Sequence, residues 1–533
     1  MLAGRLRPVR RDHRSRRGAV KALILCVLGG HLVAPPGPAS ATTTRDACAV
    51  ANARESGRSA GTCAGATAAD KAASGDHGRN ILLILADDLG LEAATLYPAS
   101  LRRATEPPAP ATPNLEELAR HGVLFRNAWV NPSCSPTRAT ILTGRYGFRT
   151  GMGWHIPPRG SRRHPPQPSL SIGERTLPEA FAGSEEGRPY AMALIGKWHQ
   201  STKKDDPVQY GWPDFVGPDP TDESGAIKDF FNWPKVSDGA VEMTRTYATT
   251  DTVDEALHRV RSARKQGRPY LLWVAFNAVH QPFQRPPDHL HARDWLPEQG
   301  ASRRDYYGAM VEALDRELGR LFREVDLAHT TVIFLSDNGT PRDVIASPYD
   351  SSHGKLSLYE DGIRVPLLIA GAGVTAPGRI VEGLAQGVDL FPTILELAGI
   401  DAEQVERQGA PPIDGVSLLP YLEGENALPV RTTAYSEQFV RGNPEDRFER
   451  TVRNARYKYI ERAPGLGVPQ REFFDLRKDP HELNNLLAGA LSPAEREEME
   501  ELARELQVLL ASRCPEGCAT AEAWERSGEA RTR

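Results

Sequence analysis

The sequence lacks the features that mark several function classes. It has no basic excess: 65 Lys and Arg stand against 69 Asp and Glu, a formal charge of −4 over 533 residues. That balance argues against a nucleic-acid partner, which calls for a dense positive field. No apolar run is long enough and uninterrupted enough to make a stable membrane span. No internal repeat recurs, which excludes a repeat architecture. Cysteine is scarce, six in all, so each position is informative.

What is present is ordinary for a soluble globular protein. Hydrophobic content is 40% and charged content 25%, and 43 prolines point to long ordered loops. The N-terminus is distinctive. Eight basic residues from Arg5 to Lys21 precede an apolar run from Ala22 to Ala34, and small residues end in Ala39-Ser40-Ala41. This is the pattern of an export leader over 1–41. Ser15-Arg16-Arg17 with Lys21 resembles a twin-arginine signal, although Ala19 stands where Phe is usual. Leu25 before Cys26 argues against lipid attachment. The expected location is periplasmic or secreted. Loss of the leader leaves 57 basic against 68 acidic residues, near −11. An anionic substrate would then need a local basic site against the global field. Cys26 leaves with the leader, and Cys48/Cys63 and Cys514/Cys518 form two close-spaced pairs that suit disulfides in an oxidising compartment. Cys134 is the odd one left.

Organisation follows hydrophobic texture. Residues 42–78, rich in Ala, Thr, Ser and Gly, read as a tether. Order begins with Asn80-Ile-Leu-Leu-Ile-Leu-Ala86, the pattern of a strand buried on both faces. Further strands are expected at 190–195, 270–276, 330–335 and 364–370, with helices at 113–120, 303–325 and 388–400. This alternation predicts an α/β fold, a mostly parallel sheet flanked by helices, over 79–424. From 425 to 512 the texture predicts a smaller α+β subdomain, with antiparallel strands at 433–439, 456–461 and 471–476 and a charged helix at 493–512. Residues 513–533 read as a tail.

Chemistry concentrates at strand ends, where α/β folds place ligands. One expected strand ends in Asp87-Asp88, another in Asp337-Asn338-Gly339. Either motif alone fits a cap or a turn. Together, three carboxylates and an amide suit a hard divalent cation such as Ca²⁺ or Mg²⁺. Asn338-Gly339-Thr340 also fits a glycosylation sequon, which its place at a strand-end carboxylate argues against. Cys134 opens a helix pattern that ends at Gly144, with Arg138 one turn along. It reads either as a small buried hydrophobe or as a reactive centre at a helix N-terminus.

Cys134-Ser135-Pro136-Thr137-Arg138, followed by Leu142-Thr143-Gly144-Arg145, resembles the Cys-x-Pro-x-Arg signature of the type I sulfatases, the arylsulfatase family. Family-like blocks follow at Gly196-Lys197-Trp198-His199, His280 with Pro282, Lys355 ahead of Gly362-Ile363-Arg364-Val365-Pro366, and Asp479-Pro480-His481-Glu482. The stretch from Thr143 to Gly151 resembles arylsulfatase B-like members, a hint towards an aminosugar sulfate. The resemblance implies an alkaline-phosphatase-like fold, and a Ca²⁺ held by Asp87, Asp88, Cys134, Asp337 and Asn338, with Mg²⁺ as the alternative. It also implies that a formylglycine-generating enzyme oxidises Cys134 to formylglycine. The hydrated aldehyde would attack the sulfur of an aryl or sugar sulfate, and its second hydroxyl would then release sulfate. Arg138 and Lys197 would orient that diol, Lys197 and Lys355 would grip sulfate oxygens, His199 would take a proton and His280 would protonate the leaving oxygen, though the two histidines' roles are exchangeable. Gln200 and the short segment between Asp337 and Lys355 depart from the family pattern and bear on specificity. A phosphonate monoester or phosphodiester hydrolase on the same fold is the main alternative, and an inactive binding homologue the third.

Overall fold

The apolar run at residue 80 becomes β1 (Asn80–Ala86), buried on both sides. Ile81, Leu83 and Leu85 enter one core layer, Leu82 and Ile84 the other. A strand with no polar face requires cover above and below it. The computed structural model describes residues 79–98, 105, 107–157, 167–221, 225–424, 427–440, 447–464 and 470–512. The expected leader, the tether, the two cysteine pairs and the tail lie outside the described residues.

The remaining strands of the main sheet are β2 (Gly122–Trp129), β3 (Ala191–Gly196), β4 (Phe215–Pro218), β5 (Trp233–Ser237), β6 (Ala240–Thr244), β7 (Tyr270–Ala275), β8 (Thr330–Ser336), β9 (Leu367–Gly371) and β10 (Arg379–Gln386). They lie in the order β10-β2-β9-β8-β1-β7-β3-β4-β5-β6. The central block β8-β1-β7-β3 is parallel, and β9 runs antiparallel to both its neighbours. Helices cover both faces. On one lie α1 (Pro113–Ala119), α3 (Ala248–Gln266) and α4 (Arg303–Phe322); on the other lie α2 (Cys134–Thr143) and α5 (Leu390–Leu397). A second sheet, β11 (Ala434–Phe439), β12 (Arg447–Arg453), β13 (Tyr457–Pro464) and β14 (Gln470–Asp475), is antiparallel in chain order. It packs against Leu502 and Leu506 of α6 (Pro493–Ala511). Among the described residues no helix is long and apolar enough to cross a membrane.

Several boundaries differ from expectation. The strand expected from Arg364 starts at Leu367, because Glu360–Ile363 forms one helical turn and Arg364 bridges to Trp129. The helix expected from Val388 starts at Leu390, after a 3₁₀ turn at Gly387–Asp389. The small sheet has four strands where three are expected. The extra one, β12, reads Arg-Phe-Glu-Arg-Thr-Val-Arg, and its charges hide the alternation. The buried side of α3 is largely Ala and Val, a weak periodic signal, so that helix escapes the sequence reading too.

A buried ion cluster ties the small sheet to the main one. Glu360 accepts from Trp129 Nε1 at 3.0 Å and pairs with Arg453 and Arg364, each at 3.2 Å. Lys458 lies 3.3 Å from Glu360 and 2.7 Å from Glu482, and the Glu360 backbone N–H donates to Glu482. Burial raises the carboxyl of Glu360, but Lys458, Arg453 and Arg364 outweigh it and hold the group below its usual range. Burial dominates at Glu482, with Glu360 adding to it against Lys458, and its carboxyl is pushed up to about 7. Folding therefore favours protonated Glu482, and that contribution is lost as pH rises from about 4.5 to about 7. Glu360 acts with the opposite sign and only below its ordinary value of 4.5. Across that window Glu482→Gln is expected to flatten the pH dependence of the urea midpoint relative to the parent. Parallel curves for the two proteins would contradict this.

Candidate active site

Four neighbouring parallel strands end at one place. Register pairs Ala86 of β1 with Ser336 of β8, so Asp87-Asp88 and Asp337-Asn338 leave the sheet side by side. Leu85 pairs with Ala275 of β7, whose continuation reaches His280, and Ala275 pairs with Gly196 of β3, which is followed by Lys197 and His199. Gly196 is required here. Its φ is +97°, and a Cβ would strike the carbonyl oxygen of Ala275, which instead accepts from Lys197 N at 2.8 Å. Asp88 and His199 have φ of +68° and +57°, a backbone region that costs energy for residues other than glycine and persists where surroundings impose it.

Helix α2 presents Cys134 to these strand ends. All ten of its residues are buried, and Gly144 closes it in the left-handed conformation. The Cys134 sulfur lies 3.4 Å from both Asp87 Oδ1 and Asn338 Oδ1, either of which can accept its one proton, and Lys355 Nζ donates to the sulfur at 3.5 Å. Ligand atoms of Asp87, Asp88, Cys134 and Asp337 all lie within 4.8 Å of one another. Three carboxylates and the Asn338 amide oxygen fit a hard divalent cation; the thiol does not, whereas an oxygen at the same place would.

Three cations are fixed on this acidic cluster. Lys197 pairs with Asp87, and Lys355 with Asp88. Arg138 donates to Asp337 Oδ2 through Nε at 3.0 Å and Nη2 at 2.8 Å, and through Nη1 to the Lys197 carbonyl at 2.9 Å. Arg138 thus stands behind the carboxylates and braces them. Burial raises the Asp87 carboxyl, but Lys197 first, with Arg138 and Lys355, holds it well below the usual range. Burial, with Asp337 and Asp87, pushes the Cys134 thiol up. A helix N-terminus and an arginine would ordinarily lower it, yet here the carboxylates and desolvation win. As a plain cysteine this side chain is an inert thiol.

The two histidines are both held neutral. Burial first, then Lys197 and Arg138, takes His199 well below its usual value. Its Nε2 meets the Ile156 carbonyl at 3.1 Å, so Nε2 carries the proton, and the buried Nδ1 is a lone pair with no partner among the described residues. Burial and Lys197 push His280 down to about 3. Its Nδ1 donates to the Gln281 carbonyl at 2.7 Å, and its Nε2 lies 3.9 Å from Asp88. Both rings line a cavity of about 330 Å³ with Asp88, Cys134 and Lys355. His155 and Arg342 also line it; nothing in their sequence context sets them apart.

Gln200 has a role the sequence does not reveal. It is fully buried, and its amide nitrogen donates to the carbonyls of Ser135 and His199, each at 3.0 Å. It therefore ties the first turn of α2 to the strained His199 turn.

Comparison with known proteins gives this geometry a family. A family model described as Sulfatase matches residues 79–400, more than half the chain. The chain belongs to the sulfatase family. It is a sulfuric ester hydrolase of the arylsulfatase type. A second model, the C-terminal region of N-sulphoglucosamine sulphohydrolase, matches residues 351–512. N-acetylgalactosamine-6-sulfatase of Sus scrofa is 30% identical over 68% of this sulfatase and 69% of that enzyme. Arylsulfatase A of Bos taurus is 30% identical, covering 68% and 72%. The crystal structure of Ps i-CgsB superposes with a TM-score of 0.66 at 24% identity, covering 86% of this chain and 98% of that one. BT4656, solved with its substrate D-glucosamine-2-N,6-O-disulfate, gives 0.63 at 19% identity, covering 83% and all of that chain. At such identities these two show the fold alone.

Two measurements check the site. In unmodified native protein the Cys134 peptide is expected to resist iodoacetamide and to react after denaturation, read by mass spectrometry; ready native alkylation would contradict the buried, raised thiol. Gln200→Ala removes the side-chain donor shared by two buried carbonyls and is expected to cost about 2 kcal/mol in urea unfolding, with kcat falling as the His199 turn loosens.

Proposed function

We propose that this sulfatase removes sulfate from a carbohydrate ester, using formylglycine at position 134 and one bound divalent cation, Ca²⁺ with Mg²⁺ as the alternative. The observation that carries the reading is Cys134 at the head of a buried helix, within a compact donor set of three carboxylates and an amide. Sugar specificity is supported by the sulfated-sugar names among the relatives, including the N-acetylgalactosamine-6-sulfatases. Asp87, Asp88, Asp337 and Asn338 would hold the cation, which would draw charge from the sulfate oxygens. Formylglycine, as its hydrate, would supply one hydroxyl to attack sulfur with loss of the alcohol, and a second whose deprotonation would break the C–O bond to sulfate and restore the aldehyde.

The chain's own residues then divide the work. Lys197 and Lys355 reach the same oxygen cluster and would bind the ester's charged oxygens, whose charge shifts in the transition state. Arg138 keeps Asp337 oriented. His199, with its lone pair on a buried Nδ1, is the base. His280 is the acid at the leaving oxygen. Burial first, and then Lys197 and Lys355, keep it neutral in the free protein; the negative ester would offset the lysines' share, so that His280 takes up a proton from solvent as the ester binds. Maturation calls for a formylglycine-generating enzyme as partner, and the 1–41 leader pattern calls for export to the periplasm or beyond. Residues 79–424 are taken as the catalytic region and 425–512 as its α+β companion.

Matured protein is expected to hydrolyse 4-nitrophenyl sulfate faster than the matching phosphonate, and Cys134→Ala to lower that rate by ~10³-fold or more. Its Cys134 peptide should be lighter than cysteine requires. Exhaustive chelation is expected to abolish turnover, and re-addition of Ca²⁺ or Mg²⁺ in separate arms identifies the ion. Activity in protein that keeps a full free thiol at position 134 would overturn the proposal.

A further inference from the structure

The catalytic cavity does not end at His280. A second cavity of about 410 Å³ adjoins it, and His280, Gln281 and Phe283 belong to both walls. Each volume reaches the ~300 Å³ at which pockets begin to hold a small organic ligand. The outer cavity is further lined by Ile227, Lys228 and Arg303. It therefore offers an aromatic ring, an aliphatic side chain and two cations beside the residue placed at the leaving oxygen.

Arg303 is placed for a ligand. Its guanidinium lies 5.2 Å from the centre of the Phe283 ring. It donates to Gln281 Oε1 at 3.1 Å and pairs with Asp343 at 2.7 Å. Both contacts fall on Nη2, one end of a five-donor fork. The Asp343 pair is 57% and 44% exposed, so it contributes little and exchanges readily. Arg303 and Arg304 also open α4, where the helix dipole disfavours positive charge. A local rule broken in this way is expected where function demands it. The chain as a whole is net negative, so an anionic ligand needs such a local cation.

We infer that the outer cavity is a subsite for the sugar joined to the one that carries the scissile ester, and that Arg303 pairs with an anion on that neighbouring sugar, a carboxylate or a second sulfate. The inference rests on the carbohydrate reading above and names its substrate class: a sugar sulfate with a further negative charge next to the one removed. Phe283 packs on the ring's C–H face, and Asp343 competes for Arg303 until the ligand displaces it.

Binding tests this apart from turnover. Full-length protein carrying Cys134→Ala is titrated calorimetrically with three disaccharides that share one scissile sulfate and differ in the neighbouring sugar: neutral, carboxylated, or bearing a second sulfate. At least one anionic form is expected to bind more tightly than the neutral one, and the tighter arm identifies the anion. Arg303→Gln is expected to weaken that form about tenfold, towards the neutral level. Asp343→Asn is expected to tighten it or leave it unchanged. Equal binding of all three sugars, no binding of any, or the same shift from both variants would overturn the subsite; the last result would show that the Arg303–Asp343 pair is merely structural. The parent reading fails on a different result, namely matured protein that hydrolyses 4-nitrophenyl sulfate and none of the three sugars.

Discussion

Three carboxylates buried within a few ångströms of one another are the constraint that the site obeys. Two like charges about 4 Å apart repel by ~4 kcal/mol at an effective dielectric of 20, and Asp87, Asp88 and Asp337 are all essentially inaccessible to water. Lys197 arrives from the end of β3, Lys355 from the segment before the Glu360 turn, and Arg138 from the first turns of α2. Removal of any one partner would leave a buried charge without compensation, which costs several kcal/mol. The same balance explains the thiol. Cys134 faces carboxylates as well as cations, so it stays protonated until its chemistry is changed.

The small sheet serves this arrangement at a distance. Lys355 sits on a segment whose next turn, Glu360–Ile363, is locked by Trp129, Arg453, Lys458 and Glu482. The preceding His353 stacks on Tyr359 and reaches the carbonyl of His481. The Asp479-Pro480-His481-Glu482 block is remote in sequence from the chemistry, yet it anchors the loop that brings a cation to Asp88. The short stretch between Asp337 and Lys355 leaves little slack for that loop to find its place alone.

Much of this was legible in the residues. The runs at 80–86 and 330–335 declare buried strands, and an acidic pair after one and Asp-Asn after the other declare strand-end chemistry. The Cys-x-Pro-x-Arg block carries its family with little ambiguity. What stayed hidden depends on three-dimensional partners. Arg138 is read from the motif as a group for the diol, and the fold adds that its fork donates to Asp337 and to the Lys197 carbonyl. Gln200 looked like a departure that touches specificity, and is instead a buried bracket between two carbonyls. The strand β12 is masked by its arginines, and α3 by small side chains. The pairing of β1 with β8 and β7 is a property of the whole chain, and no local pattern states it.

That pairing makes the sheet a gauge. Successive residues in a strand point to opposite faces and advance by ~3.3 Å. One residue gained or lost inside β1 or β8 would turn an acidic side chain away from the cluster and draw the two pairs out of step. Loops beyond the strand ends face no such limit. Across its history a chain of this kind can trade insertions and deletions in the segments that shape the outer cavity, while the lengths of its four central strands stay fixed. Selectivity is free to drift where the chemistry is not.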